Sequence, residues 1–453
     1  MKFWNGESSL SDIYRKAFAF WQKYGSRELV KRIRAEFALR SQQAVARGQP
    51  SALAQATASF IMPKGPSPSV AQMSNKRFEA LTPLATYLAP PSPHNRINIV
   101  TDSIGSGSLF GGVGTALIFA TLLANKLGVN LRIITRTERP QAENVDHILS
   151  VYGLALQGEI QFKFLPPYDH RESIDFSETE SFITTSWWTT SATLASVPAS
   201  SIIYLLQEDE RMFYPFGDDR LKCEAILRNS DIQFVINTQL LFDHFVSEGF
   251  INIAQHGYWF EPSFPTQVFH PRPIQNKSKY KFFFYARPNN LRNLFYLGLE
   301  VIDAAIAQQI LDPAEWEIIL VGKDIPDIVF EGDLAPTKHE NMSWSEYADL
   351  VGSIDLGLSL MYTPHPSYPP LDLVASGAVV VTNRFSNKQS LDQYSANLIC
   401  VNADREALLC AMREGVALAK DKGRREQNLQ NNGLGTDWRL SFADIIERLA
   451  GNI

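Results

Sequence analysis

The sequence predicts an α/β protein of two Rossmann-like domains facing a cleft, with a basic helical extension in front. Three observations carry this expectation. From residue 96 onward, short apolar runs alternate with helical segments, the order that builds a parallel sheet covered on both faces. Around residues 259–276 the alternation stops at Trp259-Phe260-Glu261-Pro262, Pro265 and His270-Pro271-Arg272-Pro273, a stiff crossing, and then begins again. At 453 residues the chain is also too long for one ordinary core.

Residues 9–24 place Ile13, Ala17, Phe20, Trp21 and Tyr24 on one helical face, and residues 27–40 repeat this with Leu29, Val30, Ile33 and Phe37. Ser26 suits the N-cap of the second helix. Residues 1–47 hold ten Lys or Arg against four carboxylates, so this stretch carries +6 and the remainder −12 of a net −6. Such an extension either rests on an anionic membrane or packs its apolar face on the body or on a second subunit. Seven of the 25 prolines then lie between Pro63 and Pro93, which marks a linker or a wrapped arm.

The first α/β series has strands at Arg96–Thr101, Leu131–Thr135, Ile160–Phe164, Ser181–Thr185, Ser201–Leu206 and Phe234–Asn237, with a helix from about Thr115 to Leu127. The second has strands at Lys281–Ala286, Glu317–Val321, Asp355–Leu360, Ala378–Thr382 and Ala396–Val401. Ser343 followed by Glu346 reads as a capping box ahead of its third strand. The expected organisation is a basic extension (1–50), a proline-rich arm (51–94), a first domain (95–262), a second domain (263–436) and a closing helix (437–453) that crosses back to the first domain.

Apolar content of 45% and charged content of 20% are those of a soluble globular protein. No segment offers ~18 consecutive apolar residues and no signal-peptide order opens the chain, so a cytoplasmic location is expected, with a peripheral position on the inner face of the plasma membrane if the extension binds lipid. Cys223, Cys400 and Cys410 are too scattered for a disulfide framework or a zinc site. The net negative charge argues against a general nucleic-acid binder.

Candidate chemistry gathers at strand ends. Gly105-Ser106-Gly107-Ser108-Leu109-Phe110-Gly111-Gly112 follows the first strand and opens a helix, but a dinucleotide fingerprint starting at Gly105 would need glycine where Phe110 stands. What remains is a glycine-lined turn in which Gly111 and Gly112 permit close backbone approach to a phosphate or sugar, or merely shape the turn. Arg287, with Arg292 five residues on, follows the first strand of the second domain, and Lys323 follows its second strand. Two cations in matching positions suit a diphosphate, and Arg adds bidentate geometry. In His365-Pro366-Ser367-Tyr368-Pro369-Pro370-Leu371-Asp372, the prolines suit the first turn of a helix whose backbone donors at 369–371 form an anion pocket. Asp372, just inside, can accept hydrogen bonds from a sugar hydroxyl.

This last segment resembles the donor-site motif of the GT-B glycosyltransferases of family 4, two glutamates separated by seven residues. Asp372 falls at the second, in the frame Leu371-acid-x-x-Ala375-x-Gly377, and Pro364 falls at the first. The wording from Pro364 to Leu371 is more closely similar to the WsaF-type bacterial rhamnosyltransferases of cell-surface glycan synthesis. The resemblance implies a GT-B fold and a metal-independent hexosyltransferase with Arg287, Lys323 and Asp372 in catalysis. Gly111, Gly112, Arg292, His365, Ser367, Tyr368, Pro369 and Leu371 would line the donor pocket. It also implies retaining transfer of L-rhamnose from dTDP-β-L-rhamnose to a surface polysaccharide or lipid-linked oligosaccharide, with no cofactor, metal or obligatory general base. In keeping with this, the chain has no strict Asp-x-Asp pair, Glu208-Asp209-Glu210 being the nearest cluster.

Glu208, Asp209 and Tyr214 lie in a polar, aromatic segment suited to carbohydrate, and Trp187 beside Trp188 is a similar candidate; each also reads as packed structure. Two rivals stay open: a GT-B transferase using a UDP- or GDP-sugar, and a catalytically silent glycan-binding or scaffold subunit.

Overall fold

The computed structural model describes residues 67–91, 95–105, 109–169, 171–272 and 278–451. The chain divides into two compact units, Met1–Arg77 and Phe78–Ile453. In the first, helix α1 (Val70–Arg77) is closed at its start by reciprocal bonds, Ser69 N–H to Gln72 Oε1 at 2.8 Å and Gln72 N–H to Ser69 Oγ at 3.2 Å. The basic helices expected at 9–24 and 27–40 lie outside the described residues.

The second unit holds both α/β domains. Its first half contains strands β1 (Thr86–Leu88), β2 (Arg96–Thr101), β3 (Asn130–Thr135), β4 (Ile160–Phe164), β5 (Ile174–Phe176), β6 (Ser181–Thr184), β7 (Ile202–Leu206), β8 (Gln233–Asn237) and β9 (Tyr258–Phe260). Seven of them form a parallel sheet in the order β4-β3-β2-β6-β7-β8-β9, and β1 pairs separately with β5. The stretch read as a proline-rich arm thus supplies a strand. The second half contains β10 (Tyr280–Ala286), β11 (Trp316–Gly322), β12 (Thr337–Glu340), β13 (Leu356–Leu358), β14 (Val379–Asn383) and β15 (Leu398–Val401), parallel in the order β12-β11-β10-β13-β14-β15. Runs such as Phe282–Phe284 and Val379–Val381 are apolar at every position because helices cover both faces.

Both sheets reverse direction beside their first strand, between β2 and β6 and between β10 and β13. A parallel sheet leaves a crevice beyond the carboxyl ends of its strands at such a switch point. The glycine turn after β2 and Arg287 after β10 stand there.

The helices that matter for the site are α2 (Gly114–Leu127), α3 (Ala142–Val151), α4 (Trp187–Leu194), α5 (Asp218–Leu227), α6 (Gln239–Ser247), α7 (Ile251–His256), α8 (Phe295–Ala307), α9 (Trp344–Val351), α10 (Tyr368–Ala375), α11 (Arg405–Lys420), α12 (Lys422–Gln430) and α13 (Trp438–Ala450). The capping box of α9 is present, with Ser343 accepting from the Glu346 N–H and Glu346 accepting from the Ser343 N–H. Helix α13 crosses back to the first half, where Trp438, Phe442, Ile445, Ile446 and Leu449 join its core. The Phe442 ring lies 4.9 Å from Phe119 and 4.4 Å from Phe260. At about 2 kcal/mol per buried large apolar side chain, that face contributes on the order of 10 kcal/mol. The outgoing and returning crossings run side by side, with Ser263 bridged to Gly435 and Ser263 Oγ 2.7 Å from Ser441 Oγ. Among the described residues no helix is long and apolar enough to cross a membrane.

Candidate active site

The two halves enclose a cleft of about 510 Å³, a size suited to a nucleotide-sized ligand. Its second-half wall begins where β10 and β11 end. Ala286 and Gly322 are partners in register, so Arg287 and Lys323 leave neighbouring positions on adjacent strands. A side chain at Gly322 would put a carbon 1.7 Å from the Ala286 carbonyl oxygen, so only glycine lets the strands finish together here. Both cations line the cleft, and among the described residues neither forms an ion pair; the Arg287 guanidinium donates only to Tyr285 Oη, at 3.1 Å. Two cations side by side give this wall a positive potential that favours an anion.

Helix α10 meets this wall end-on. Its N-cap, Ser367, has φ 74° and ψ 151°, a backbone conformation that side chains resist. Pro369 and Pro370 fall in its first turn as expected, but prolines have no N–H, so of the first three helical residues only Tyr368 brings a backbone donor. The expected backbone cradle at 369–371 is corrected to that single N–H plus the helix dipole. Tyr368 itself reaches the first half, where its hydroxyl lies 2.6 Å from Thr115 Oγ1 and accepts from Asn237 Nδ2 at 2.9 Å. The space left by Gly111, at φ 78°, is filled by the Tyr368 ring, which a Cβ there would approach to 3.2 Å. The Gly112 carbonyl accepts from Gln207 Nε2 at 2.7 Å.

Asp372, one turn into α10, is buried and accepts from the Tyr347 hydroxyl at 3.0 Å. Burial pushes its carboxyl up to about 8, against the pull of that hydrogen bond. Glu208, at the end of β7, bridges the halves: Oε2 accepts from Thr363 Oγ1 at 2.9 Å and from Arg292 Nη1 at 3.1 Å, while Oε1 accepts from the Asp209 N–H at 3.0 Å. Burial raises it to about 7, opposed chiefly by Arg292. His365 is also buried, with Nδ1 accepting from the Ser367 N–H at 2.9 Å. Burial, then Lys388 and Arg292, hold its imidazole down to about 3. An aromatic end of the cleft is supplied by Tyr152, Phe269, Trp344, Tyr347 and Trp438.

The structure therefore brings together Arg287, Lys323, Asp372, Gly111, Gly112, Arg292, His365, Ser367, Tyr368, Pro369 and Glu208. Four other candidates stand elsewhere. Leu371 is buried in the core of the second half. Asp209 is gripped by Arg211, at 2.9 and 2.7 Å, and by His244 Nε2 at 3.1 Å. Trp187 is 2% exposed and donates from Nε1 to Tyr214 Oη at 3.0 Å, so that pair is spent on packing within the first half. Sequence reasoning missed Tyr347, Thr363, Gln207 and Lys388. Tyr347 follows a helical cap and reads as a core position, Gln207 and Lys388 bond backbone carbonyls within their own halves, and Thr363 finds its partner Glu208 across the cleft.

The WsaF N-terminal domain matches residues 96–239 and the WsaF C-terminal domain matches residues 280–413, together more than half of the chain. This chain carries both WsaF domains. Its two sheets are the two halves of a GT-B fold: it is similar to sucrose-phosphate synthase of Thermosynechococcus elongatus, with a TM-score of 0.52 and 14% identity over 79% of this chain and 100% of that one. It is also similar to WaaG, a glycosyltransferase involved in lipopolysaccharide biosynthesis, with a TM-score of 0.51 and 11% identity over 79% of this chain and 99% of that one. For Anabaena HepE, solved with UDP and glucose, the TM-score is 0.50 at 10% identity over 78% and 99% of the two chains. In sequence, the chain is 28% identical over 273 residues to the O-antigen biosynthesis protein RfbC of Myxococcus xanthus. That match takes in 58% of this chain and 20% of RfbC, so the chain spans about a fifth of that relative's length.

Proposed function

We propose that this WsaF-domain protein is a glycosyltransferase that moves a sugar from a nucleoside diphosphate onto a growing surface polysaccharide or lipid-linked oligosaccharide. The observation that carries it is the pair Arg287 and Lys323, free of ion pairs among the described residues and adjacent at the ends of register-matched strands beside the start of α10. When the bond to the anomeric carbon breaks, negative charge grows on the leaving phosphate, and fixed cations in a partly dry cleft stabilise that charge more than they stabilise the bound ground state. Asp372 holds the ribose, and the aromatic end of the cleft receives the base. The WsaF domains and the RfbC match support a place in surface-glycan synthesis, and HepE shows that this fold accommodates UDP and glucose.

The finer reading takes L-rhamnose as the sugar, its dTDP-β-L-form as the donor, retention as the outcome and the chain's own cations in place of a metal. It rests on the segment from Pro364 to Asp372 and its resemblance to the WsaF-type enzymes. One observation favours a silent, glycan-binding subunit instead: Pro364 stands where the related motif has its first glutamate.

A thermal-shift panel with dTDP, UDP, GDP and their sugar conjugates separates these readings. A ligand at 100 times its Kd adds about 2.7 kcal/mol to the folded state. Stabilisation by dTDP-rhamnose above the others supports the donor assignment, and a larger response to a UDP- or GDP-sugar moves it to that rival. No response to any nucleotide leaves the silent subunit as the better account.

A further inference from the structure

Behind the cleft wall lies a buried lysine that the proposed chemistry does not use. Lys388 is 0% exposed, and its Nζ donates to the carbonyl oxygens of Met361, at 2.8 Å, and His365, at 3.3 Å. Asn383, ending β14, grips the same loop from the other side: it accepts from the Met361 N–H at 2.7 Å and donates to the Met361 oxygen at 3.0 Å. The loop from Met361 to Ser367 is thus pinned at several backbone atoms, and the His365 ring is pinned at its end by the Ser367 N–H.

That last bond decides where the ring proton sits. A neutral imidazole whose Nδ1 accepts a hydrogen bond carries its proton on Nε2. His365 lines the cleft at 4% exposure, and among the described residues its Nε2 has no hydrogen-bond partner. A buried donor without an acceptor is destabilising, and a ligand oxygen would relieve it. Charge selects the kind of oxygen: burial, then Lys388 and Arg292, keeps the ring uncharged, so it adds no cation to the pair Arg287 and Lys323. A neutral N–H suits a hydroxyl. Glu208, bonded to Thr363 two residues before His365, brings a carboxylate acceptor to the same end of the cleft, and donor beside acceptor is what a sugar hydroxyl needs.

We propose that His365 donates its Nε2–H to a hydroxyl of the transferred sugar, and that Lys388 is the positioning residue that holds it there by fixing the loop's carbonyls. The inference rests on the nucleotide-sugar reading and adds to it the residue that distinguishes the sugar conjugate from the bare nucleotide.

The test compares calorimetric affinities for dTDP and for dTDP-L-rhamnose in wild type and in His365→Leu, His365→Gln, Lys388→Met and Lys388→Arg. We expect His365→Leu and Lys388→Met to bind dTDP as wild type does and to lose roughly five- to tenfold in affinity for dTDP-L-rhamnose, the worth of one neutral hydrogen bond. His365→Gln, which keeps a side-chain N–H, and Lys388→Arg, which keeps donors to the carbonyls, should recover most of that loss. An unchanged preference for the conjugate in His365→Leu, or an equal loss of both ligands, overturns the inference. Absence of binding to dTDP, UDP and GDP alike by wild type overturns the donor-site reading itself. Should Lys388→Met not fold, the two His365 variants decide the matter.

Discussion

At the scale of single residues, Arg287 and Lys323 make no ion pair among the described residues, and under the proposed function each gives one charge-assisted contact to a phosphate. We expect Arg287→Ala and Lys323→Ala each to weaken nucleoside diphosphate binding roughly 10- to 100-fold in calorimetry while barely moving the unfolding midpoint. Unchanged affinity would take that residue out of the site. Glu210 tests the electrostatics differently. It is buried, accepts from the Trp187 N–H at 2.7 Å, and is pushed by burial up to about 8 from an ordinary 4.5. Between those values the folded chain holds a proton that the unfolded chain has released, so stability falls as pH rises through that window. From about pH 6.5 to about pH 8 this one group should cost about 1–2 kcal/mol, and Glu210→Gln should flatten the slope in urea unfolding. Identical slopes would mean that Glu210 is ionised in the fold. The cations were legible in the sequence because a strand end fixes where the next residue points. The role of Asp209 was not, since its acidic, aromatic surroundings suit sugar binding and internal pairing alike, and only the positions of Arg211 and His244 choose between them.

Among the elements, α10 opens on a strained residue and lines the cleft with its first turns. Ser367 sits at φ 74° and ψ 151°, where glycine alone is comfortable. Ser367→Gly should relieve that strain and, after the added chain entropy of glycine, stabilise the fold by about 1 kcal/mol in denaturant unfolding. A loss of stability would show that the serine side chain earns its place. The prolines that made this helix readable also removed donors from its first turn, leaving Arg287 and Lys323 to supply most of the positive charge. Long strands such as β2 and β10 were legible because both of their faces are largely buried and they are built mostly of β-branched and aromatic residues. The short strands β1, β9 and β12 were not. Each has only three or four residues, and β1 and β12 are largely exposed, so their pairing depends on distant partners rather than on local pattern.

For the molecule as a whole, the halves are tied by polar contacts across the cleft, through Glu208 and Tyr368, and by the apolar face of α13. Phe442 is fully buried between Phe119 and Phe260, so Phe442→Ala should cost about 3–5 kcal/mol, a large share of the total stability of a domain. Near-normal urea unfolding in that variant would show that α13 only rests on the first half. The cleft itself was foreseeable, since two open parallel sheets in sequence place their strand ends face to face. Its closure was not, because the bonds of Thr363 and Arg292 to Glu208, and of Tyr368 to Thr115 and Asn237, form only when the halves meet. The claim on which the rest depends is that Arg287, Lys323 and the start of α10 hold the diphosphate of a sugar nucleotide. It is tested most directly by determining the structure of the protein with dTDP at saturating concentration. We predict the diphosphate against Arg287 and Lys323, with Asp372 on the sugar of the nucleoside. A nucleotide bound elsewhere, or a cleft that stays empty of it, would contradict the assignment.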